Sequence, residues 1–206
     1  MPKNSIVNSI LANPLFYWSY QRLVGGDRAR RLFIENHVRP RKEDKLLDLG
    51  CGPGNILDFL PNLDYHGFDV EPQYIKAAKD KYGNRGTFIC ADAESFEVSE
   101  PHSFDLAIAT GVIHHLDDAQ ADNLFRIAAS ALKSSGRLVT FDGCYMPGQH
   151  PISKLMLKSD RGKFVRTREA YLQLAQKHFS SIDAVIDESY FKIPYTSIIM
   201  ECKNEH

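Results

Sequence analysis

Short apolar runs alternate with amphipathic stretches along the chain after residue 44. An apolar run of a few residues, bounded by turn-forming residues, is typical of a buried strand. Five such runs are predicted to be strands, over residues 45–49, 65–69, 87–91, 104–110 and 137–141. Because helical stretches separate several of them, the pattern predicts βαβ units and an α/β fold with a mostly parallel sheet.

Three stretches have the pattern of a helix. Residues 72–82 begin with proline and place Ile75, Ala78 and Tyr82 on one face. Residues 119–133 repeat apolar positions at the i, i+3, i+4 and i+7 spacing, and residues 168–179 form a third predicted helix. Two β-rich runs follow, at 182–190 and 195–202, joined by a short turn. Strands joined so closely must pair antiparallel, because a parallel return needs a long crossover.

The run LLDLGCGPGN, residues 46–55, carries the clearest chemical signal in the chain. An apolar strand reaches Asp48, and the chain then turns through Gly50, Gly52 and Gly54 into a stretch expected to be helical. Glycines permit a sharp turn and leave room for a ligand against the main chain. The start of a helix directs unpaired N–H groups at such a ligand. The run therefore predicts a nucleotide-like ligand at the end of the first strand, with a tight turn that binds nothing as the alternative.

The spacing of the glycines distinguishes between ligands. A dinucleotide-binding turn has glycine at its first, third and sixth positions, whereas the sixth position from Gly50 is Asn55. Asp48 also places a carboxylate beside the turn, which suits an ammonium group better than a pyrophosphate. The run resembles motif I of the class I S-adenosylmethionine (SAM) methyltransferases, and the similarity extends from about Lys45 to Cys202.

The resemblance implies a Rossmann-like fold with a seven-stranded, mostly parallel sheet, an antiparallel C-terminal hairpin and helices on both faces. It divides the chain into an N-terminal helical lid over residues 1–44 and a SAM-binding methyltransferase domain over residues 45–206. Residues 13–21 contain four aromatic side chains and form either a buried plug or part of that lid. Residues 142–166 are longer than a plain connection and are expected to be a substrate cap, unless they are a surface insertion with no role.

The same resemblance implies SAM as the cofactor, with S-adenosylhomocysteine (SAH) as the product. Asp69 ends the second strand about 20 residues beyond the glycine turn, where an acidic side chain can accept both ribose hydroxyls. Asp92 would accept from the adenine amine and the N–H of Ala93 would reach a ring nitrogen, although Asp92 can also be a simple turn former. The expected cofactor contacts are Asp48, Gly50, Cys51, Gly52, Asn55, Asp69, Val70, Asp92, Ala93, Thr110, Gly111 and Val112, with Tyr20 and Gln21 from the lid.

Two adjacent histidines, His114 and His115, follow the fourth predicted strand. An imidazole titrates near neutral pH, so either residue is a candidate catalytic base. Adjacent side chains diverge, however, so at most one can face the reacting methyl group, and a histidine pair here is also a structural feature of related enzymes. We expect a structural pair, with the catalytic role as the alternative. No metal site is expected, because the sequence lacks suitably spaced ligands.

Composition limits the partners of the protein. The 206 residues suit one domain, and a net charge of -1 argues against a nucleic-acid binder. A basic cluster between residues 28 and 42 is interpreted as a solvated helix face and the turn after it. The four scattered cysteines are typical of reduced thiols in the cytoplasm. The sequence shows neither a signal peptide nor an apolar run of bilayer length, so no membrane partner is expected.

These observations predict an enzyme that transfers a methyl group from SAM to a small-molecule acceptor. The Asn/Asp-Pro-Pro-aromatic motif typical of amino-methylating DNA and protein enzymes does not follow the fourth strand. A non-catalytic SAM-binding scaffold protein is the main alternative, because a fold can persist without its activity. A nicotinamide-dependent dehydrogenase is a weaker alternative, since Asn55 breaks the dinucleotide spacing.

Overall fold

Eight strands and five α-helices lie within residues 26–91, 100–159 and 162–204, the parts of the chain that the computed structural model describes. The helices are α1 (Gly26–Phe33), α2 (Pro72–Tyr82), α3 (Asp118–Ala131), α4 (Pro151–Ser159) and α5 (Arg168–Ala175). The strands are β1 (Lys45–Leu49), β2 (Asp64–Asp69), β3 (Thr87–Cys90), β4 (Phe104–Thr110), β5 (Leu132–Tyr145), β6 (Arg166–Thr167), β7 (Ser181–Asp187) and β8 (Ser197–Lys203). None of the helices in these ranges is both long and apolar enough to cross a membrane.

The strands form one sheet in the order β3-β2-β1-β4-β5-β8-β7, with the two-residue strand β6 paired to β5. The pairs among β1 to β6 are parallel. Strand β8 runs antiparallel to both β5 and β7. The predicted α/β fold, with its mostly parallel sheet and antiparallel C-terminal hairpin, is therefore confirmed, and β6 is an additional short strand.

Helices cover both faces of this sheet, which is why its central strands are apolar throughout. On one face, α3 and α5 pack against side chains such as Leu47 of β1. On the other face, α1 and α2 pack against Leu46, the neighbouring residue of the same strand. Successive side chains of a strand point to opposite faces, and both faces of this sheet are covered by helices. Polar groups such as Asp69 of β2 and Thr110 of β4 therefore lie at the ends of their strands.

Several predicted boundaries agree with the structure, and others differ for identifiable reasons. Residues 45–49, 72–82 and 104–110 have the predicted bounds. The stretch after the glycine turn is only a 3-10 turn, Asn55–Asp58, rather than a regular helix. Pro61 follows shortly, and the residue before a proline avoids the α conformation. Strand β5 extends well beyond the predicted 137–141, because β4, β6 and β8 all pair with it.

The segments outside the repeating pattern contribute to packing. A π-helical turn, Ile34–Val38, continues α1, and Phe33, Ile34 and Val38 are buried against the sheet. The insert 142–166 contains α4, whose Leu157 is buried. Residues 1–25, which include the predicted lid contacts Tyr20 and Gln21, lie outside the described residues.

Candidate active site

The glycine turn after β1 lies against the end of β4. Gly50 has a φ of 77°, in the left-handed region that favours glycine. A Cβ on Gly50 would lie 2.4 Å from a methyl carbon of Val112, so the two turns are in direct contact there. Gly52, with a φ of 54°, would place a Cβ in open space. Gly50 thus permits a close approach of two backbones, while Gly52 leaves main chain exposed toward a space that a ligand can occupy.

Asp69 connects the end of β2 to this turn. One carboxylate oxygen accepts from the N–H of Gly52 at 2.8 Å, and the other accepts from the N–H of Glu71 at 2.8 Å. An ionised carboxylate has about four acceptor positions, so each oxygen retains capacity for one more donor. The side chain is half-buried at the edge of the sheet. This arrangement fits two adjacent hydroxyls, as the sequence predicted for a ribose.

Asp48 lies beneath the turn rather than openly beside it. Its side chain is 1% exposed, and one oxygen accepts a hydrogen bond from the Tyr65 hydroxyl at 2.6 Å. The other oxygen is buried without a hydrogen-bond partner in the structure. Burial, opposed by the Tyr65 hydrogen bond and assisted by the charge of Asp69, raises the pKa of Asp48 from 3.8 to about 7. The structure therefore buries this acid next to the turn and bonds it to Tyr65, and its predicted contact with the cofactor stays a prediction.

The remaining predicted cofactor residues are only partly brought together. Cys51 is buried beside the turn, and burial raises the pKa of its thiol, which keeps it protonated. Asn55 accepts a hydrogen bond from Lys81, and Val70 is 64% exposed just beyond Asp69. Thr110 ends β4, and Gly111 and Val112 follow it, with Val112 next to Gly50 of the glycine turn. Asp92 and Ala93 lie outside the described residues, so their contacts stay predictions.

The two histidines occupy different environments on the 3-10 turn Ile113–His115. His114 is 5% exposed, and its Nδ1 lies 2.7 Å from a carboxylate oxygen of Asp142. The backbone N–H of His114 donates to the same oxygen at 3.2 Å. His115 is exposed, and its ring centroid lies 4.2 Å from that of His114. The two rings therefore pack against each other instead of diverging as expected, and His115 is the one of the pair that is open to solvent.

Asp142 is a member of this site that sequence reasoning did not identify. It follows the predicted fifth strand directly and is separated from His114 by 28 positions. The long extension of β5 carries Asp142 to the end of β4, where it reaches the histidine turn. No pattern in the sequence indicated it, because residues 138–140 and 142–144 are buried in consecutive runs and the contact depends on the full length of the strand.

Residues 46–136 match the family model of a methyltransferase domain. The glycine turn, Asp69 and the histidine turn described above all fall within this match. This match assigns residues 46–136 to the methyltransferase domains, and the sheet described above is the fold of a solved SAM-dependent methyltransferase.

Curated relatives and solved structures agree with this family. The methyltransferase domain is 29% identical over 111 residues to a ubiquinone biosynthesis O-methyltransferase of Idiomarina loihiensis, a match covering 52% of this chain and 45% of the relative. A TehB-like SAM-dependent methyltransferase of Corynebacterium glutamicum superposes with a TM-score of 0.63 at 22% identity, covering 86% of this chain and 88% of that one. The cyclase SpnF superposes with a TM-score of 0.68 at 20% identity, covering 87% and 82%. The chain spans about half or less of the length of the first curated relatives it matches.

Substitution of Asp69 tests its predicted contact with the ribose. Asp69→Ala removes two charge-assisted hydrogen bonds of roughly 1.5–3 kcal/mol each, so SAH affinity should fall about tenfold or more. Titration calorimetry measures the affinity, and circular dichroism checks the fold. Asp64→Ala, at the exposed opposite end of β2, is the matched control and should bind SAH like the parent protein. Unchanged SAH binding in a folded Asp69→Ala protein would reject the ribose assignment.

The buried acid under the turn predicts a pH dependence of stability. The pKa of Asp48 is about 7 in the folded protein and about 3.8 in an unfolded chain, so between these values only the folded state holds the proton. The free energy of unfolding contributed by Asp48 should therefore fall as pH rises from about 4 to about 7. Relative to Asp48→Asn, the parent protein should lose roughly 1–3 kcal/mol across this range, measured by urea unfolding. Parallel pH curves for the two proteins would contradict the placement of an ionisable, buried carboxyl here.

Proposed function

We propose that this protein transfers a methyl group from SAM to a small-molecule acceptor. The observation that carries the proposal is the hydrogen bond from the N–H of Gly52 to Asp69. It places the open space beside Gly52 next to a carboxylate with further acceptor positions. Both residues lie where parallel strands end, which is the usual ligand edge of such sheets. The family match over residues 46–136 supports the same cofactor at the same edge.

The residues at this edge fit SAM. When bound, SAM supplies an electrophilic methyl group on a sulfonium that leaves easily. Asp69 would hold the ribose hydroxyls through its remaining acceptor positions, and the main chain at Gly52 would lie against the ligand. Asp48 and Tyr65 would support the turn from below. Because the leaving group is good, alignment and exclusion of water can supply much of the acceleration.

A small acceptor is favoured by charge and by sequence. The net charge of -1 offers no excess of cations for a nucleic acid, and the Asn/Asp-Pro-Pro-aromatic motif does not follow β4. The relative from Idiomarina loihiensis is named as an O-methyltransferase of ubiquinone biosynthesis, and the name indicates a small-molecule acceptor for that protein. Insert 142–166 would form the substrate cap, since its two ends pair at the end of β5.

We propose that the N-terminal lid predicted over residues 1–44 closes over the cofactor. Arg28, near the start of α1, donates to the main-chain oxygens of Ser189 and Tyr190 at 2.6 and 2.8 Å. These carbonyls lie in the connection between β7 and β8, just beyond the end of β7. Strand β7 runs parallel to β5, so its end lies at the ligand edge of the sheet. The described residues of the predicted lid therefore begin near that edge of the sheet, which supports the proposal.

A reducing compartment, the cytoplasm, is the proposed location. All four cysteines are free thiols in the structure. Cys51, Cys144 and Cys202 are buried in the packed domain, where burial raises the pKa of each thiol. Free cysteines in this number are typical of proteins that do not pass through an oxidising compartment.

The first experiment compares ligands by titration calorimetry. SAM and SAH should bind, while NAD should not, because Asn55 stands where a dinucleotide turn needs glycine. Binding of NAD more tightly than SAH would end the methyltransferase proposal in favour of a dehydrogenase. The Asp69→Ala protein provides a control in which SAH binding is selectively weakened.

Turnover then separates an enzyme from a non-catalytic SAM-binding protein. Cell extract depleted of macromolecules is incubated with methyl-labelled SAM, and labelled products are separated by mass. A labelled small molecule that requires the protein is the expected result. SAH binding without any labelled product would favour the non-catalytic scaffold alternative. The cyclase SpnF, named for a different reaction, shows that this fold does not by itself imply methyl transfer.

We propose that His115, rather than His114, accepts a proton from the acceptor. His114→Ala should leave Asp142 buried without its main partner and lower the free energy of unfolding by roughly 2–4 kcal/mol. His115→Ala should leave stability within about 0.5 kcal/mol, since the residue is exposed. It should lower methyl transfer by about tenfold to a hundredfold with SAH affinity unchanged. Loss of transfer in His114→Ala, with melting temperature and SAH affinity intact, would contradict the proposal and identify His114 as the base.

A further inference from the structure

Arg166 lies at the end of the insert, in β6, and reaches across to the histidine turn. Its side chain is 8% exposed. Nη1 donates to the main-chain oxygens of Ile113 and Phe164 at 3.1 and 3.0 Å. Nη2 donates to the oxygen of Leu116 at 2.8 Å and to Asp118 at 2.7 Å, and Nε donates to Asp118 at 3.0 Å. All five N–H groups of the guanidinium therefore have an acceptor.

These acceptors enclose the turn that carries the histidines. Ile113 begins the 3-10 turn and Leu116 follows its last residue, so the guanidinium spans the turn from one end to the other. Asp118 is the first residue of α3, which connects the same group to the start of that helix. The planar, fixed geometry of a guanidinium suits such a span, and the three donors of a lysine cannot reproduce it.

The insert holds the same turn at a second place. The N–H of Phe164 donates to the main-chain oxygen of His114 at 3.0 Å. A Cβ on Gly162 would lie 2.1 Å from the His114 ring, so the insert backbone packs directly on that ring. Asp142 holds the other side of His114 from β5. The histidine turn is thus fixed between the end of the insert and the strand from which the insert departs.

The buried charge of Arg166 is stabilised mainly by main-chain carbonyl oxygens and aromatic rings. Among the described residues, its carboxylate partner is Asp118, whose side chain is 82% exposed. The guanidinium carbon lies 6.0 Å from the ring centre of Phe164 and 5.9 Å from that of Tyr171. A buried cation supported chiefly by carbonyl oxygens and ring faces holds those carbonyls in one arrangement, since each lost acceptor would leave an unpaired buried donor.

We propose that Arg166 is a positioning residue for methyl transfer: it fixes the turn Ile113–His115 and thereby the direction in which the His115 ring faces the acceptor. The proposal rests on the proposed function, in which His115 meets the acceptor. The cofactor is held by β1 and β2, on the far side of β4 from the insert, so Arg166 acts on the acceptor side of the site. Insert and histidine turn then form one unit, and the cap cannot shift without moving His115.

The test uses the full chain labelled with ¹³C and ¹⁵N in histidine. Signals of His114 and His115 are assigned by single substitutions of each residue, and those of His66 and His178 serve as internal references. Arg166→Lys keeps the charge but loses the fork of donors. Arg126→Lys, an exposed arginine on α3 that bonds to Asn123, is the matched control. Asp118→Ala, which removes one exposed acceptor, is the milder second variant should Arg166→Lys fail to fold.

In Arg166→Lys, the ring signals of His114 and His115 should move toward unfolded-peptide positions while His66 and His178 stay in place. Asp118→Ala should shift the same two signals less, and Arg126→Lys should shift neither. SAH affinity should be unchanged, and with an identified acceptor kcat should fall about tenfold at an unchanged KM for SAM. Unmoved His115 signals in both Arg166→Lys and Asp118→Ala would overturn the proposal, as would a uniform shift of all histidines. Failure of the parent protein to bind SAH would refute the proposed function. The ring signals are read without ligand, so they would still show separately whether Arg166 fixes the turn.

Discussion

The site depends on the parallel pairing of β1 with β2 on one side and with β4 on the other. Asp48 pairs in register with Gly67 of β2 and with Ile108 of β4, so all three strands end at one edge. Helices bury both faces of these strands, and polar groups can therefore collect only where the strands stop. The glycine turn, Asp69 and the residues after Thr110 are neighbours for this reason, although nearly sixty positions separate them along the chain. A change that shifted the register of β1 would separate these groups even if each kept its local structure.

Local features of the fold were predictable because local physics determines them. Helix α2 has the predicted bounds, since a proline fixes its start and Gly83 follows its last residue. Strands β1 and β4 are short apolar runs with clear turn residues at their ends. The length of β5 was not predictable in this way. Residues 133–136 are polar and contain glycine, which favours a turn. They lie at the register shift between β4 and β5, yet they continue the strand from Leu132 to Arg137, where the pairing with β4 resumes and that with β8 begins.

The same distinction between local and long-range features applies to the residues of the candidate site. The proximity of Gly52 and Asp69 was predictable, because it depends on spacing within one βαβ unit. The partners of the histidines were not, because Asp142 and Arg166 reach the turn from 28 and about 50 positions away, through pairing that the sequence does not display. The burial of Asp48 was missed for a related reason: its Tyr65 partner lies on a different strand, and only the finished sheet places that hydroxyl beneath the turn. The solved neighbour SpnF, with a similar fold, shows why activity must be argued from such side chains and not from the architecture.

The parallel pairing of β5 with β6 closes the insert into a loop whose two ends lie side by side, with Cys144 opposite Arg166 and Tyr145 opposite Thr167. For a loop with fixed ends, the entropic cost of closure grows slowly with length, by about 0.6 kcal/mol for each doubling. The length of the insert is therefore only weakly constrained by closure, whereas residues that pack on the rest of the protein, such as Leu157 and Gly162, are constrained by their contacts. Exchange of this one loop offers a physical route by which enzymes built on the same sheet can acquire new acceptors.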